Sequence, residues 1–141
     1  MAAILPGYLS KLTRNLISGG EQLFFFDSYA IIELLSANPA YQKYGEETIV
    51  TSSLNLGEAY YSYLKKGRGE YFLKTMNSMR VDLLSVESGS AYAAMRFKYE
   101  NRSKNFSFVD CVGYTLAEEN GLTFLTGDKE FKEMPGVEFV K

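Results

Sequence analysis

The sequence contains no histidine, no tryptophan and a single cysteine, Cys111, among its 141 residues. Without a second cysteine no disulfide can form within the chain, and the usual nitrogen and sulfur ligand sets for zinc are missing. The absence of histidine also excludes Ser-His-Asp and Cys-His catalysis in their common forms, because no imidazole can accept the proton. Any catalysis must therefore depend on carboxylates, hydroxyls, lysine, arginine or a bound hard cation.

The chain also lacks long apolar runs and a strong excess of either charge. No apolar run reaches the roughly 18 residues of a membrane span, and the amino end lacks the basic start and apolar core of a secretory signal. We therefore expect an intracellular, cytoplasmic protein with no membrane partner. The net charge of −2 argues against non-specific coating of nucleic acid. The length and the 46% of hydrophobic residues predict one globular domain.

The first twenty residues differ from the rest of the chain. Their apolar residues recur at three- and four-residue spacing, which predicts an amphipathic helix interrupted by Pro6 and Gly7 and ended by Gly19 and Gly20. Residues 1–20 are therefore predicted to be a helical extension, and residues 21–141 the domain itself.

Short apolar or β-branched segments alternate with helical patterns along the domain. Strands are predicted near residues 23–26, 48–51, 81–86, 122–125 and 137–140, and helices are predicted between them. This alternation is typical of a parallel sheet covered on both faces, and it predicts a three-layer α/β/α sandwich.

Two of the predicted strands are followed directly by a carboxylate. Asp27 follows the run Leu23-Phe24-Phe25-Phe26, and Asp128 follows the strand that ends near Leu125. Ligands of open α/β sheets bind outside the carboxyl ends of the strands, so both acids are candidate site residues. Asp27 can also act simply as the cap of the following helix, because aspartate satisfies free backbone N–H groups there.

Two further acids are predicted near the starts of helices that are entered from the same edge. Glu58 shares a helical face with Leu54 and Tyr61, where it either joins the site or reaches water or Lys65 and Lys66. Asp110 stands three residues after Ser107, so it either joins the site or completes a capping box.

The acids Asp27, Glu58, Asp110 and Asp128 would converge if their elements meet at one edge of the sheet. Two unit charges about 4 Å apart repel by roughly 4 kcal/mol at an effective dielectric near 20, so such a cluster requires protons or cations. Ligand sets made only of oxygen select Mg²⁺ or Mn²⁺, and these ions support hydrolysis of phosphodiesters.

The sequence resembles the PIN-domain ribonucleases, and in particular the small VapC-type toxins. The resemblance covers the chain from about Leu23 to its end, although some twenty residues precede the first strand. It is carried by Phe26-Asp27-Ser28, Thr51-Ser52-Ser53-Leu54-Asn55-Leu56-Gly57-Glu58, Phe108-Val109-Asp110 and Leu125-Thr126-Gly127-Asp128-Lys129-Glu130-Phe131.

The resemblance implies a five-stranded parallel sheet of order 3-2-1-4-5 with Mg²⁺ or Mn²⁺ at its carboxyl edge. It assigns the metal to Asp27, Glu58, Asp110 and Asp128, and it implies that Thr126 orients the site or a bound water. It further implies an endoribonuclease that forms homodimers and, as a toxin, is inhibited by a cognate antitoxin. Two alternatives stay open, namely a PIN nuclease of ordinary RNA processing and a non-catalytic domain that binds RNA or protein.

Overall fold

The structure is a computed structural model that describes residues 22–141. The predicted helical extension over residues 1–20 lies outside the described residues. The elements follow one another as β1 (Phe24–Phe26), α1 (Ser28–Leu35), a 3₁₀ helix (Pro39–Glu46), β2 (Ile49–Thr51), α2 (Ser53–Lys65), α3 (Gly69–Asn77), β3 (Val81–Leu83), α4 (Ser88–Glu100), α5 (Phe108–Glu119), β4 (Thr123–Thr126), a second 3₁₀ helix (Lys129–Phe131) and β5 (Val137–Phe139).

The five strands form one parallel sheet in the order β3-β2-β1-β4-β5, which confirms the predicted fold and strand order. β1 is the central strand, and Phe26 pairs in register with Leu125 of β4. The strands bury side chains on both faces of the sheet, as the unbroken apolar run of β1 predicts. Asp27 and Asp128, which follow β1 and β4, therefore stand at the ends of neighbouring strands.

The core has two parts, one on each face of the sheet. Phe25 and Phe124 pack with residues of α4 and α5, whereas Phe26 and Leu125 pack with residues of α1, α2 and α3. Successive side chains of a strand point to opposite faces, so each central strand contributes to both layers of helices. Within residues 22–141, no helix combines the length and the apolar character needed to cross a membrane.

Three local predictions differ from the structure. β3 ends at Leu83, earlier than predicted, although the N–H of Leu84 still donates to the carbonyl of Thr51 in β2 at 2.8 Å. Tyr71 of α3, which the apolar pattern of residues 70–79 predicts to face inward, is 38% exposed, although its ring packs against Tyr63 and its hydroxyl donates to the carbonyl of Leu35. Residues 41–44, for which the sequence predicts a short helix ended by Gly45, belong to a longer 3₁₀ helix that begins at Pro39.

The buried face of α2 also differs from the prediction. Leu54 and Tyr61 are exposed, and the buried residues are Asn55, Ala59 and Tyr63. The buried residues recur at helical spacing, but their stripe begins one residue later in the chain than the predicted stripe. The polar residue Asn55 therefore belongs to the buried face of α2. Glu58 lies at the edge of this stripe and is partly buried.

Candidate active site

Asp27 lies at the carboxyl end of β1 and is only 2% exposed. Its Oδ1 accepts a hydrogen bond of 2.8 Å from the backbone N–H of Ser28, so Asp27 caps α1. Its Oδ2 accepts a hydrogen bond of 2.7 Å from Oγ1 of Thr126. The capping role considered from the sequence is therefore real, and the same side chain also faces the end of the neighbouring strand.

Thr126 is the last residue of β4 and is fully buried. Its hydroxyl donates to Asp27 and accepts a hydrogen bond of 3.1 Å from the backbone N–H of Asp128. One hydroxyl therefore connects the two carboxylate-bearing strand ends at the centre of the sheet.

Asn55 is a buried polar residue of this site that is not among the acids and the threonine predicted from the sequence. Its Nδ2 donates to Oγ of Ser28 at 3.1 Å and lies 3.5 Å from Oδ1 of Asp27, while its Oδ1 accepts from Oγ of Ser52 at 2.6 Å. It lies in the first turn of α2, three residues before Glu58 and on the adjoining side of the helix. A polar residue at the spacing of Ala59 and Tyr63 was the signal that could have identified it.

The electrostatic environment of Asp27 is that of a buried acid among other acids. The pKa of Asp27 is raised to about 7: burial is the largest cause, the carboxylates of Asp110 and Glu58 also raise the pKa, and the hydrogen bonds from Thr126 and Ser28 lower it. The charged groups that act on this pKa are thus carboxylates. An acid in this environment resists ionisation unless a proton or a cation compensates its charge.

Asp110 belongs to the same electrostatic group. Burial raises its pKa, and the charges of Asp128 and Glu58 act in the same direction, while hydrogen bonds with Ser107 lower it. The four acids predicted from the sequence therefore lie at one edge of the sheet, near enough to influence one another. They come from four different segments: the end of β1, α2, α5 and the loop after β4.

The side chains of Asp110 and Asp128 accept hydrogen bonds from nearby backbone N–H groups. Oδ2 of Asp110 accepts from the backbone N–H of Ser107 at 2.8 Å and completes the predicted capping box of α5, and Oδ1 of Asp128 accepts from the backbone N–H of Glu130 at 3.0 Å. In the part of the chain that the structure describes, no three acids converge closely enough to ligate one metal ion.

The donor chemistry of the site nevertheless fits a hard divalent cation. The site offers carboxylate and hydroxyl oxygens with no nitrogen or thiolate, and Asp110 and Asp128 each use one oxygen for a cap and keep a second. Such oxygen sets select Mg²⁺ or Mn²⁺. Joint ligation by three of the acids requires movement of these side chains from their present positions.

Comparison with known proteins relates this architecture to a family. The PIN domain family model matches residues 24–137. Comparison with curated proteins gave no match.

Several solved structures are similar in fold. VapC20 of Mycobacterium tuberculosis, a toxin that cleaves the sarcin-ricin loop, has 17% sequence identity and a TM-score of 0.66, and the alignment covers 83% of this chain and 96% of that one. VapBC2 of Rickettsia felis, bound to a DNA fragment from its promoter, has 16% identity and a TM-score of 0.66, with 84% and 98% covered. PAE2754 of Pyrobaculum aerophilum has 22% identity and a TM-score of 0.65, with 84% and 90% covered.

At these identities the likeness to solved structures establishes the fold, and the family model establishes the family. The match to the family model includes β1, β4 and all four acids at the carboxyl edge of the sheet. The chain belongs to the PIN domain family.

Proposed function

We propose that the protein is a metal-dependent endoribonuclease that hydrolyses RNA phosphodiesters at the acidic edge of its sheet. The observation that carries the proposal is Asp27, a fully enclosed carboxyl whose charged neighbours are Glu58 and Asp110. A fold gains no stability from gathering acids around a buried acid, because each like charge opposes ionisation of the others. A cation that neutralises the group explains why the arrangement is kept.

The residues have distinct roles in this proposal. Asp27, Glu58, Asp110 and Asp128 would hold Mg²⁺ or Mn²⁺, and Thr126 fixes the orientation of Asp27 through its hydroxyl. Asn55 supports the same carboxylate from α2 through Ser28. When bound, such an ion supplies an activated water and stabilises the leaving oxygen of a phosphodiester. This chemistry is available to a chain without histidine.

The first test is cleavage of RNA by the purified protein. We expect cleavage in the presence of Mn²⁺ or Mg²⁺, none in excess EDTA, and a loss of about 100-fold or more in the Asp27→Asn variant, a size typical of removing a key electrostatic group. The matched control is Glu70→Gln, the same carboxylate-to-amide change at an exposed position of α3, which should retain full activity. Undiminished cleavage by Asp27→Asn, or by the unaltered protein in EDTA, would contradict the mechanism.

A second test measures metal binding without relying on catalysis. An ion that binds only the folded protein raises its melting temperature, and the rise grows with the logarithm of the ion's concentration relative to its dissociation constant. We expect Mn²⁺ to raise the melting temperature of the unaltered protein and of Glu70→Gln, and to raise that of Asp27→Asn much less. Equal shifts in all three proteins would place the ion elsewhere.

We also propose that the nuclease acts as a toxin that forms homodimers and is inhibited by an antitoxin. The similar structures include a sarcin-ricin-loop-cleaving toxin and a VapBC complex on DNA, which supports this assignment. The surface offers apolar groups for a protein partner: Tyr61 and Leu64 on α2 and Leu73 on α3 are 60%, 48% and 48% exposed.

The toxin proposal predicts that production of the protein inhibits bacterial growth and that the Asp27→Asn variant does not. Coproduction of a small protein encoded beside it should restore growth and yield a complex that copurifies. Growth inhibition by Asp27→Asn equal to that of the unaltered protein would contradict a toxin that acts through this site.

A further inference from the structure

The carboxyl end of α4 lies beside the acidic site. α4 and α5 pack antiparallel. Near the start of α4, Oγ of Ser90 donates a hydrogen bond of 2.6 Å to Glu119 at the end of α5. Near the end of α4, Nζ of Lys98 donates a hydrogen bond of 2.6 Å to the carbonyl of Phe106, just before α5. The last turn of α4 therefore adjoins the first turn of α5, which carries Asp110.

Two aromatic rings at this corner are exposed to solvent. Tyr99, in the last turn of α4, is 58% exposed, and Phe108, two residues before Asp110, is 49% exposed. In the part of the chain that the structure describes, the ring of Phe108 has no aromatic or cationic partner. Most other phenylalanines of the domain pack against further rings, so Phe108 stands apart as an apolar surface beside the candidate catalytic acids.

Basic side chains accompany the rings. The guanidinium of Arg102 lies 4.4 Å from the centroid of the Tyr99 ring, and its Nη1 donates to the carbonyl of Tyr99 at 2.8 Å. Nζ of Lys104 reaches the carbonyl of Glu130, two residues after Asp128, at 3.4 Å. The loop between α4 and α5 thus carries positive charge along the side of the acidic site, although the chain as a whole has a net charge of −2.

Exposed rings combined with cations beside an acidic site match the chemistry of an unpaired nucleic-acid strand. Unstacked bases bind to aromatic faces and to guanidinium planes, and the phosphates bind to lysine and arginine. A protein partner would also cover the rings, but an aromatic ring already stacked with a guanidinium, beside further cations, favours a polyanion with exposed bases.

We propose that Tyr99, Arg102 and Phe108 form a stacking platform that holds unpaired bases of the RNA next to the acidic site. The proposal rests on the nuclease function proposed above and adds to it the residues that position the strand. Because the bases of a duplex are already stacked on one another, the platform favours single-stranded segments over paired ones.

The test is binding of a set of short single-stranded oligoribonucleotides, each carrying 2-aminopurine at a different position. Asp27→Asn serves as the background for all variants, so that the RNA remains intact. We expect Phe108→Ala and Tyr99→Ala to bind roughly 5- to 100-fold more weakly, since one base stacked on an aromatic ring contributes an affinity of that order. Stacking quenches 2-aminopurine, so each variant should also lose the quenching at one position of the strand.

The controls separate stacking from a structural role. Tyr99→Phe and Phe108→Tyr keep the rings and should keep the affinity and the quenching. Tyr92→Ala removes a ring that is 77% exposed on the same helix, but near its opposite end, and should bind as the background does. Annealing the oligonucleotide to its complement should weaken binding.

Several outcomes would overturn the platform. Unchanged RNA affinity in Phe108→Ala and Tyr99→Ala would do so, and if these variants also lost self-association, the rings would belong to a contact between copies of the chain. An equal loss in Tyr92→Ala, or binding of the duplex as tight as that of the single strand, would also overturn it. Binding is measured here without cleavage. If the protein bound RNA through these rings but did not cleave it, the result would contradict the proposed nuclease activity and still support the stacking platform.

Discussion

Thr126 is the residue that connects the chemistry of the two central strands. Its hydroxyl is buried, donates to Asp27 and accepts from the backbone of Asp128, so a single oxygen orients two of the candidate metal ligands. The hydrogen bond to Asp27 also lowers the pKa of that carboxyl, against the effect of burial. Thr126 therefore favours the ionised form that a metal requires.

Replacement of Thr126 by valine tests this role at nearly constant volume. Thr126→Val leaves a buried carboxylate with one hydrogen bond fewer and the N–H of Asp128 without its acceptor. We expect the free energy of unfolding at pH 8 to fall by about 1–3 kcal/mol, and metal-dependent cleavage to fall with it. Thr126→Ser keeps the hydroxyl and is the control. Equal stability of the two variants in urea denaturation would show that the hydroxyl contributes nothing.

The turn after β4 lies close to two other elements, α1 and the end of β5. A Cβ atom at Gly127 would overlap Cε1 of Tyr29 on α1 and the carbonyl oxygen of Val140 after β5, and it would lie 2.8 Å from Cζ of Tyr29. One of these contacts is with backbone, which cannot rotate away. The close approach of α1, β4 and the end of β5 therefore requires glycine between Thr126 and Asp128.

Gly127→Ala is accordingly expected to destabilise the protein by about 1–3 kcal/mol or more, because the turn must shift to admit the methyl group. The matched control is Gly57→Ala in α2, where nothing lies within 4 Å of the added Cβ. That substitution should stabilise the protein by roughly 0.5–1 kcal/mol through helix propensity. Denaturation curves of both variants give the comparison, and a Gly127→Ala variant as stable as Gly57→Ala would refute the packing argument.

The whole molecule is expected to lose stability as its central acid ionises. Burial raises the pKa of Asp27 from 3.8 to about 7. Between these values the folded protein keeps a proton that the unfolded chain has released, so the free energy of unfolding falls as the pH rises and stays low above about 7. Asp110, whose pKa is also raised, acts in the same direction.

In a metal-free buffer the protein should therefore be more stable at pH 5 than at pH 8, by an amount on the order of 2–4 kcal/mol. Asp27→Asn removes most of this dependence and should be more stable than the unaltered protein at pH 8. Urea denaturation at the two pH values measures both quantities. The same pH dependence in both proteins would show that Asp27 is not the titrating group.

The sequence by itself determined the architecture of this protein. Five short apolar strands alternating with helical patterns permit few arrangements other than a parallel sheet covered on both faces, and the unbroken run before Asp27 indicates a strand buried on both faces. The positions of Asp27 and Asp128 followed from the rule that sites form at the carboxyl ends of such strands. The capping roles of Asp27 and Asp110 were also visible, because capping depends on residues close together in the chain.

Only the tertiary structure decided which side chains share the site and how they are oriented. The sequence placed Glu58 on a stripe with Leu54 and Tyr61, whereas the buried stripe of α2 contains Asn55, because the rotation of a helix is set by what it packs against. The contact between Thr126 and Asp27 joins residues 99 positions apart, and their pairing depends on β1 and β4 being neighbours. Local spacing encodes the elements and their caps, but long-range packing of one element on another determines their rotation and mutual contacts.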